Sequence, residues 1–137
     1  MSTKAGEVHR ARKQAGLNHE AIDHINAHAT STPVGDAGEL AAIKRVFGVN
    51  HAKPAISATK SSTGHLLGAA GGLEAIFTIK AIEEQCCPPT INLVQADEGA
   101  NGLTIVGKNP LHLDIEYALS NGFGGVNTSV IFKIFKP

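Results

Sequence analysis

The chain reads as a layered α/β domain, on three observations. Segments whose apolar residues recur at helical spacing alternate with short apolar runs. The last run, residues 128–135, alternates in polarity and is rich in β-branched residues, as a strand requires. The 137 residues suffice for one domain with its own core, and no linker, repeat or low-complexity stretch divides them. Residues 5–15 predict a helix that Gly16 ends. Residues 22–27 predict a strand leading into a loop around His28. Asp36 opens a second helix, with Leu40, Ile43 and Phe47 at helical spacing and Gly48 after it. Residues 55–58 predict a short buried strand that feeds a loop carrying Lys60. Residues 67–85 predict the longest helix: Leu73, Ile76, Phe77, Ile79 and Ile82 cover a broad face, and Pro88 and Pro89 bar continuation. Gly68, Gly71 and Gly72 weaken its start by about 1 kcal/mol each relative to Ala, so close packing against that turn is expected. Further strands are predicted at 103–106, 116–119 and 128–135.

Composition excludes several classes of function. Lys and Arg number 12, as do Asp and Glu, so the formal charge is zero with neutral histidine. There is no basic stripe for nucleic acid and no like-charge run for a tail. No apolar run approaches the roughly 20 residues that span a membrane, and residues 1–20 lack the apolar segment of a signal peptide. The expectation is a cytoplasmic protein with neither nucleic acid nor membrane as partner. Cys86 and Cys87 are adjacent, a spacing that rarely forms a disulfide, and no CxxC pattern points to zinc.

The residues with chemistry to offer are His28, His65 and Lys60. Each lies among small and hydroxylic residues: Ile25-Asn26-Ala27-His28-Ala29-Thr30-Ser31-Thr32-Pro33 and Thr59-Lys60-Ser61-Ser62-Thr63-Gly64-His65-Leu66-Leu67-Gly68-Ala69-Ala70-Gly71. Two neutral imidazoles can each donate an N–H to one oxyanion, and such donors contribute on the order of 3–4 kcal/mol each to catalysis. A nearby ammonium holds a histidine neutral, and a carboxylate is then needed to fix the lysine; Glu74 and Glu39 are the candidates. The competing reading is an ordinary pair of polar histidines. Thr30 and Thr32 present alternate hydroxyls that suit an amide-bearing ligand arm, or equally a helix-entry turn. Gly122-Phe123-Gly124-Gly125 offers backbone N–H groups for an oxyanion hole with Phe123 as an apolar lid, or a plain hairpin turn. Gly68-Ala69-Ala70-Gly71-Gly72 matches neither phosphate-binding pattern and reads as tight helix packing. Cys86 and Cys87 follow Glu83 and Glu84 at a predicted helix C-terminus, where dipole and charge oppose a thiolate, so both read as structural.

Taken together, the motifs resemble the β-ketoacyl-acyl carrier protein synthases of the elongating type, within the thiolase-like superfamily. The first run resembles their NAHGTSTPxGD motif and the second their KSxTGHLLGAAG motif. Pro88-Pro89-Thr90-Ile91-Asn92-Leu93 is similar to their PPTxNL segment, and residues 120–127 to their closing glycine-rich loop. The resemblance extends over nearly the whole chain. It implies the C-terminal part of a thiolase-like layered α/β/α fold with a mixed β-sheet. It also implies an acyltransferase of fatty-acid elongation, performing decarboxylative Claisen condensation of an acyl-enzyme with malonyl-acyl carrier protein. By position, His28 and His65 would bind the malonyl thioester oxygen, with Lys60, held by Glu74, setting the electrostatics around His65. Thr30 and Thr32 would bond the phosphopantetheine arm, and Phe123 would give a backbone N–H to the oxyanion hole and gate the acyl pocket, with Gly124 and Gly125 beside it. No cofactor is implied beyond that arm as substrate carrier, and no metal. The implied partners are acyl carrier protein, malonyl and acyl thioesters, a second copy of the chain, and an N-terminal half with the nucleophilic cysteine that this chain lacks. The chain alone is therefore expected to be inactive in condensation. Where the family reads SNSFGFGGTN or SNGFGFGGVN, residues 120–127 are two residues shorter. A non-catalytic remnant that binds carrier protein or pantetheine, and a polyketide ketosynthase segment, are the alternatives.

Overall fold

The computed structural model describes residues 3–50, 52–123 and 127–137. A five-stranded mixed sheet organises it, ordered β4-β2-β1-β6-β7, with ranges β1 His24–Asn26, β2 Ala55–Ser57, β4 Thr104–Ile105, β6 Tyr117–Phe123 and β7 Asn127–Lys133. β1 runs parallel to β2 and to β6, β2 parallel to β4, and only β7 is antiparallel to its neighbour. β3 (Cys86–Cys87) and β5 (Leu111–His112) form a separate antiparallel pair. The helices are α1 Lys4–Gln14, α2 Pro33–Phe47, α3 Lys60–Thr63 and α4 Ala70–Glu84.

Register decides which side chains meet which layer. Ile25, Ile56 and Leu119 lie side by side across β1, β2 and β6. With Val8 of α1 and Ile43 and Phe47 of α2 they form one apolar cluster. The alternate positions face the other way: Ala55 and Ala118 pack with Ala81 and Ile82 of α4, and with Cys87, Val106 and Ile115. The sheet is thus covered on one face by α1 and α2 and on the other by α4, an α/β/α sandwich as the sequence implies. Burying a side chain such as Ile25 completely contributes roughly 1.5–3 kcal/mol.

The element boundaries differ from expectation for local reasons. α2 begins at Pro33 rather than Asp36, because proline at the first helical position has its φ preset and lacks an N–H that would go unpaired there. Asp36 instead accepts from the Ser31 N–H at 3.2 Å. The helix expected over 67–85 starts as a 3₁₀ turn at 67–69 and becomes α-helical only at Ala70. It ends at Gln85, which sits at φ +51° and ties the turn with its side chain to Ile82 and Ile115. Cys86 and Cys87 consequently lie in a strand, not on the helix. The close packing expected at Gly68, Gly71 and Gly72 is not met: a Cβ at any of the three would touch nothing within 4 Å among the described residues. Strand β6 runs to Phe123, four residues beyond the expected end, and Gly122 belongs to it; a Cβ there would lie 2.9 Å from the Thr128 hydroxyl. No helix among the described residues is long and apolar enough to cross a membrane.

Candidate active site

The C-terminal ends of β2, β1 and β6 lie side by side, because these three strands are parallel neighbours. Loops leaving such ends are where α/β sheets build sites. His28 follows β1, Lys60 follows β2, and Phe123 is the last residue of β6. Topology thus brings together groups far apart in sequence. His65 arrives from the loop between α3 and α4, and Glu74 from the second turn of α4.

The rings of His28 and His65 meet edge to face, with centroids 5.5 Å apart and planes at 87°. Lys60 is buried, donates to His28 Nδ1 at 3.5 Å and is ion-paired with the buried Glu74 carboxylate. Expectation placed this lysine with His65; its hydrogen bond is to His28. Of the two candidate carboxylates, Glu74 holds the lysine and Glu39 does not. Both oxygens of Glu39 accept backbone N–H groups, from His28 and Ala29, each at 2.8 Å. The carboxylate thereby fixes the loop that presents His28, which carries two residues at positive φ, Ala29 (+36°) and Ser31 (+68°).

The hydrogen bonds also assign the ring tautomers. An ammonium can only donate, so His28 Nδ1 accepts and the ring proton sits on Nε2. The Leu67 backbone N–H donates to His65 Nδ1 at 3.2 Å, so His65 also carries its proton on Nε2. Burial first, then the charges of Lys60, His65 and Lys4, hold the His28 pKa down at about 4. It is therefore a neutral N–H donor at physiological pH. Burial pushes the Glu39 and Glu74 carboxyls up, opposed by the Ala29 and His28 N–H groups in one case and by Lys60 in the other.

Thr30 and Thr32 lie on the loop after His28, their hydroxyls 3.4 Å apart. A cavity of about 500 Å³ runs beneath Thr30 and reaches Lys60 and His65. Its third wall, from Thr90 to Ala100, includes Asn92 and Asp97, which residue-level reasoning did not single out because nothing in that loop has the pattern of a ligand set. Phe123 is buried in the core cluster, with its ring 6.0 Å from that of His28. Gly124 and Gly125 lie outside the described residues; Phe123 pairs directly with Asn127, so three residues join the strands. Cys87 is fully buried, and burial pushes its thiol up to about 12, which removes it as a nucleophile. Lys4 was not foreseen: its ammonium lies over the Phe123 ring, and no motif marks it.

The mixed sheet brings His28, from the loop after β1, and His65, from the loop before α4, together at the C-terminal ends of its parallel strands. Residues 2–94 match the family described as beta-ketoacyl synthase, C-terminal domain. The chain belongs to the beta-ketoacyl synthase family. It is 47% identical over 137 residues to 3-oxoacyl-[acyl-carrier-protein] synthase 1 of Haemophilus influenzae, covering 97% of this chain and 33% of that protein. It is 44% identical over 126 residues to 3-oxoacyl-[acyl-carrier-protein] synthase 2 of Vibrio harveyi, covering 90% and 30%. The crystal structure of a beta-ketoacyl synthase from Burkholderia phymatum STM815 superposes with a TM-score of 0.89 at 39% identity, over 97% of this chain and 32% of that one. The ketosynthase complex AntDE:AntF, a type II polyketide acyl-carrier protein with its ketosynthase bound to the hexaketide, gives 0.90 at 30% identity, over 98% and 33%. The chain spans about a third of the length of these relatives.

Proposed function

We propose that this chain supplies the two-histidine part of a fatty-acid-elongating condensation site. The observation that carries the reading is the edge-to-face meeting of two imidazoles, with ring centroids 5.5 Å apart and Nδ1 the acceptor in each. In the reaction, the malonyl thioester loses its carboxylate as carbon dioxide, and the electrons of the broken C–C bond form an enolate. The Nε2–H groups of His28 and His65 donate to the enolate oxygen. The enolate carbon then attacks the acyl thioester on a cysteine of the N-terminal part, and the cysteine thiolate leaves. Burial, reinforced by Lys60, keeps His28 neutral so that it donates rather than ionises, and Glu74 keeps Lys60 in place. Thr30 and Thr32 bond the pantetheine arm of an acyl carrier protein at the mouth of the cavity. The Phe123 backbone N–H, with Gly124 and Gly125 beside it, serves the second oxyanion, that of the acyl thioester. No resident cofactor or metal has a role in this scheme, and the compartment is the cytoplasm. Without the cysteine-bearing part the chain is inactive in condensation.

A second reading has support from the similar structures, one of which is a type II polyketide ketosynthase with its acyl-carrier protein: the same chemistry on a polyketide substrate. The test supplies the missing cysteine-bearing part, from a separate chain or by fusion, and assays 3-oxoacyl-carrier protein formation from malonyl-carrier protein. Turnover is expected, and His65→Ala should cut it about 10²–10³-fold, the usual effect of losing one oxyanion donor. Unchanged turnover in His65→Ala would end the reading. Binding of carrier protein without turnover would favour a non-catalytic module.

A further inference from the structure

Lys4 opens α1, far from either histidine motif. Its ammonium donates to the Gly35 carbonyl at 2.9 Å, in the first turn of α2. It also lies over the Phe123 ring, 5.2 Å from the centroid. A cation is attracted to an aromatic face, the more so as water is excluded, and Phe123 is buried. The same ring meets His28 at 6.0 Å with planes at 68°. One continuous line of contacts therefore joins α2, Lys4, the end of β6 and the candidate oxyanion donor.

We propose that Lys4 is a positioning residue of the histidine site: its ammonium, anchored on Gly35, clamps the Phe123 ring against His28. The catalytic meaning of the clamp rests on the function proposed above, whereas the clamp itself does not. The connection after Phe123 is short, three residues to its pairing partner Asn127. The cation holds the phenyl ring from the side of α1, while His28 meets it from the site. The charged and titratable groups that act on His28 come from every element around it: Lys60 of α3, His65 before α4, Lys4 of α1, and Glu39 of α2 through the backbone N–H. Of these, Lys4 also lies over the Phe123 ring.

The experiment compares the 137-residue chain with Lys4→Met, which keeps the stem and loses the charge, and with Lys4→Arg, which keeps both. NMR reads three quantities: the His28 titration midpoint, the Phe123 ring-proton shifts, and the titration midpoint of His24, a core histidine that Lys4 does not contact. Lys4→Met is expected to move the His28 midpoint to higher pH and to displace the Phe123 signals. Lys4→Arg should restore both, with His24 unchanged throughout. Unmoved His28 and Phe123 signals in Lys4→Met would overturn the proposal. Loss of the native His24 signal in Lys4→Met would also overturn it, because Lys4 would then be a structural residue. None of these readouts needs turnover, so intact condensation in His65→Ala would end the functional reading and leave the clamp standing.

Discussion

His28 is held by three constraints of different kinds. Glu39 fixes its backbone, Lys60 fixes its ring proton, and burial fixes its charge state. The lysine is itself conditional on Glu74, since a buried ammonium is tolerated only when paired. Replacing Lys60 by Met should leave the Glu74 carboxylate buried without its partner, at a cost of about 3–5 kcal/mol. The double variant Lys60→Met/Glu74→Leu should recover most of that loss, as read by urea unfolding. A double variant no more stable than the single one would show that the pair is not what the burial penalty hangs on. At this scale the two histidines, Lys60 and Glu74 were legible in the sequence because they sit in long motifs. Lys4 was not, because its partners are 31 and 119 positions away and no local pattern encodes such contacts.

Among the elements, α4 carries the clearest discrepancy between sequence and structure. Gly68, Gly71 and Gly72 look as if they serve a close neighbour, yet the described residues provide none. Gly71→Ala and Gly72→Ala should therefore stabilise the isolated chain, by up to about 1 kcal/mol each through helix propensity, in thermal or urea unfolding. Destabilisation would mean that a neighbour does pack there. The long elements α1, α2, α4 and β7 were readable from periodicity and breakers. The two-residue strands β3, β4 and β5 and the one-turn helix α3 are too short for a period to register; of these, β4 alone was anticipated, from its apolar run. Proline at the first turn of α2 was the boundary signal that a reading centred on Asp36 passed over.

For the whole molecule, two consequences follow. First, apolar side chains stand exposed on several elements: Val34, Leu67, Ile76, Val94 and Phe135 are each more than half accessible. The chain spans about a third of its relatives' length, and such a surface favours association. Light scattering should show self-association, and a monodisperse monomer would contradict that. Second, stability should fall on acidification. His24 is buried, and burial holds its pKa at about 4 against an ordinary 6.5, despite its bond to the Ala55 carbonyl. The unfolded chain takes up that proton more readily, so the stabilisation is complete above about pH 6.5 and is lost as pH falls toward 4. From this one group the loss is about 3 kcal/mol. A His24→Asn variant whose urea midpoint falls between pH 7 and 4 as steeply as the parent's would refute it. The central claim is that the rings of His28 and His65 are neutral donors through Nε2. Long-range ¹H–¹⁵N spectra of the two imidazoles at pH 8, where an ordinary histidine is neutral, test it most directly. The account predicts the Nε2–H tautomer in both rings; an Nδ1–H tautomer in either would contradict it.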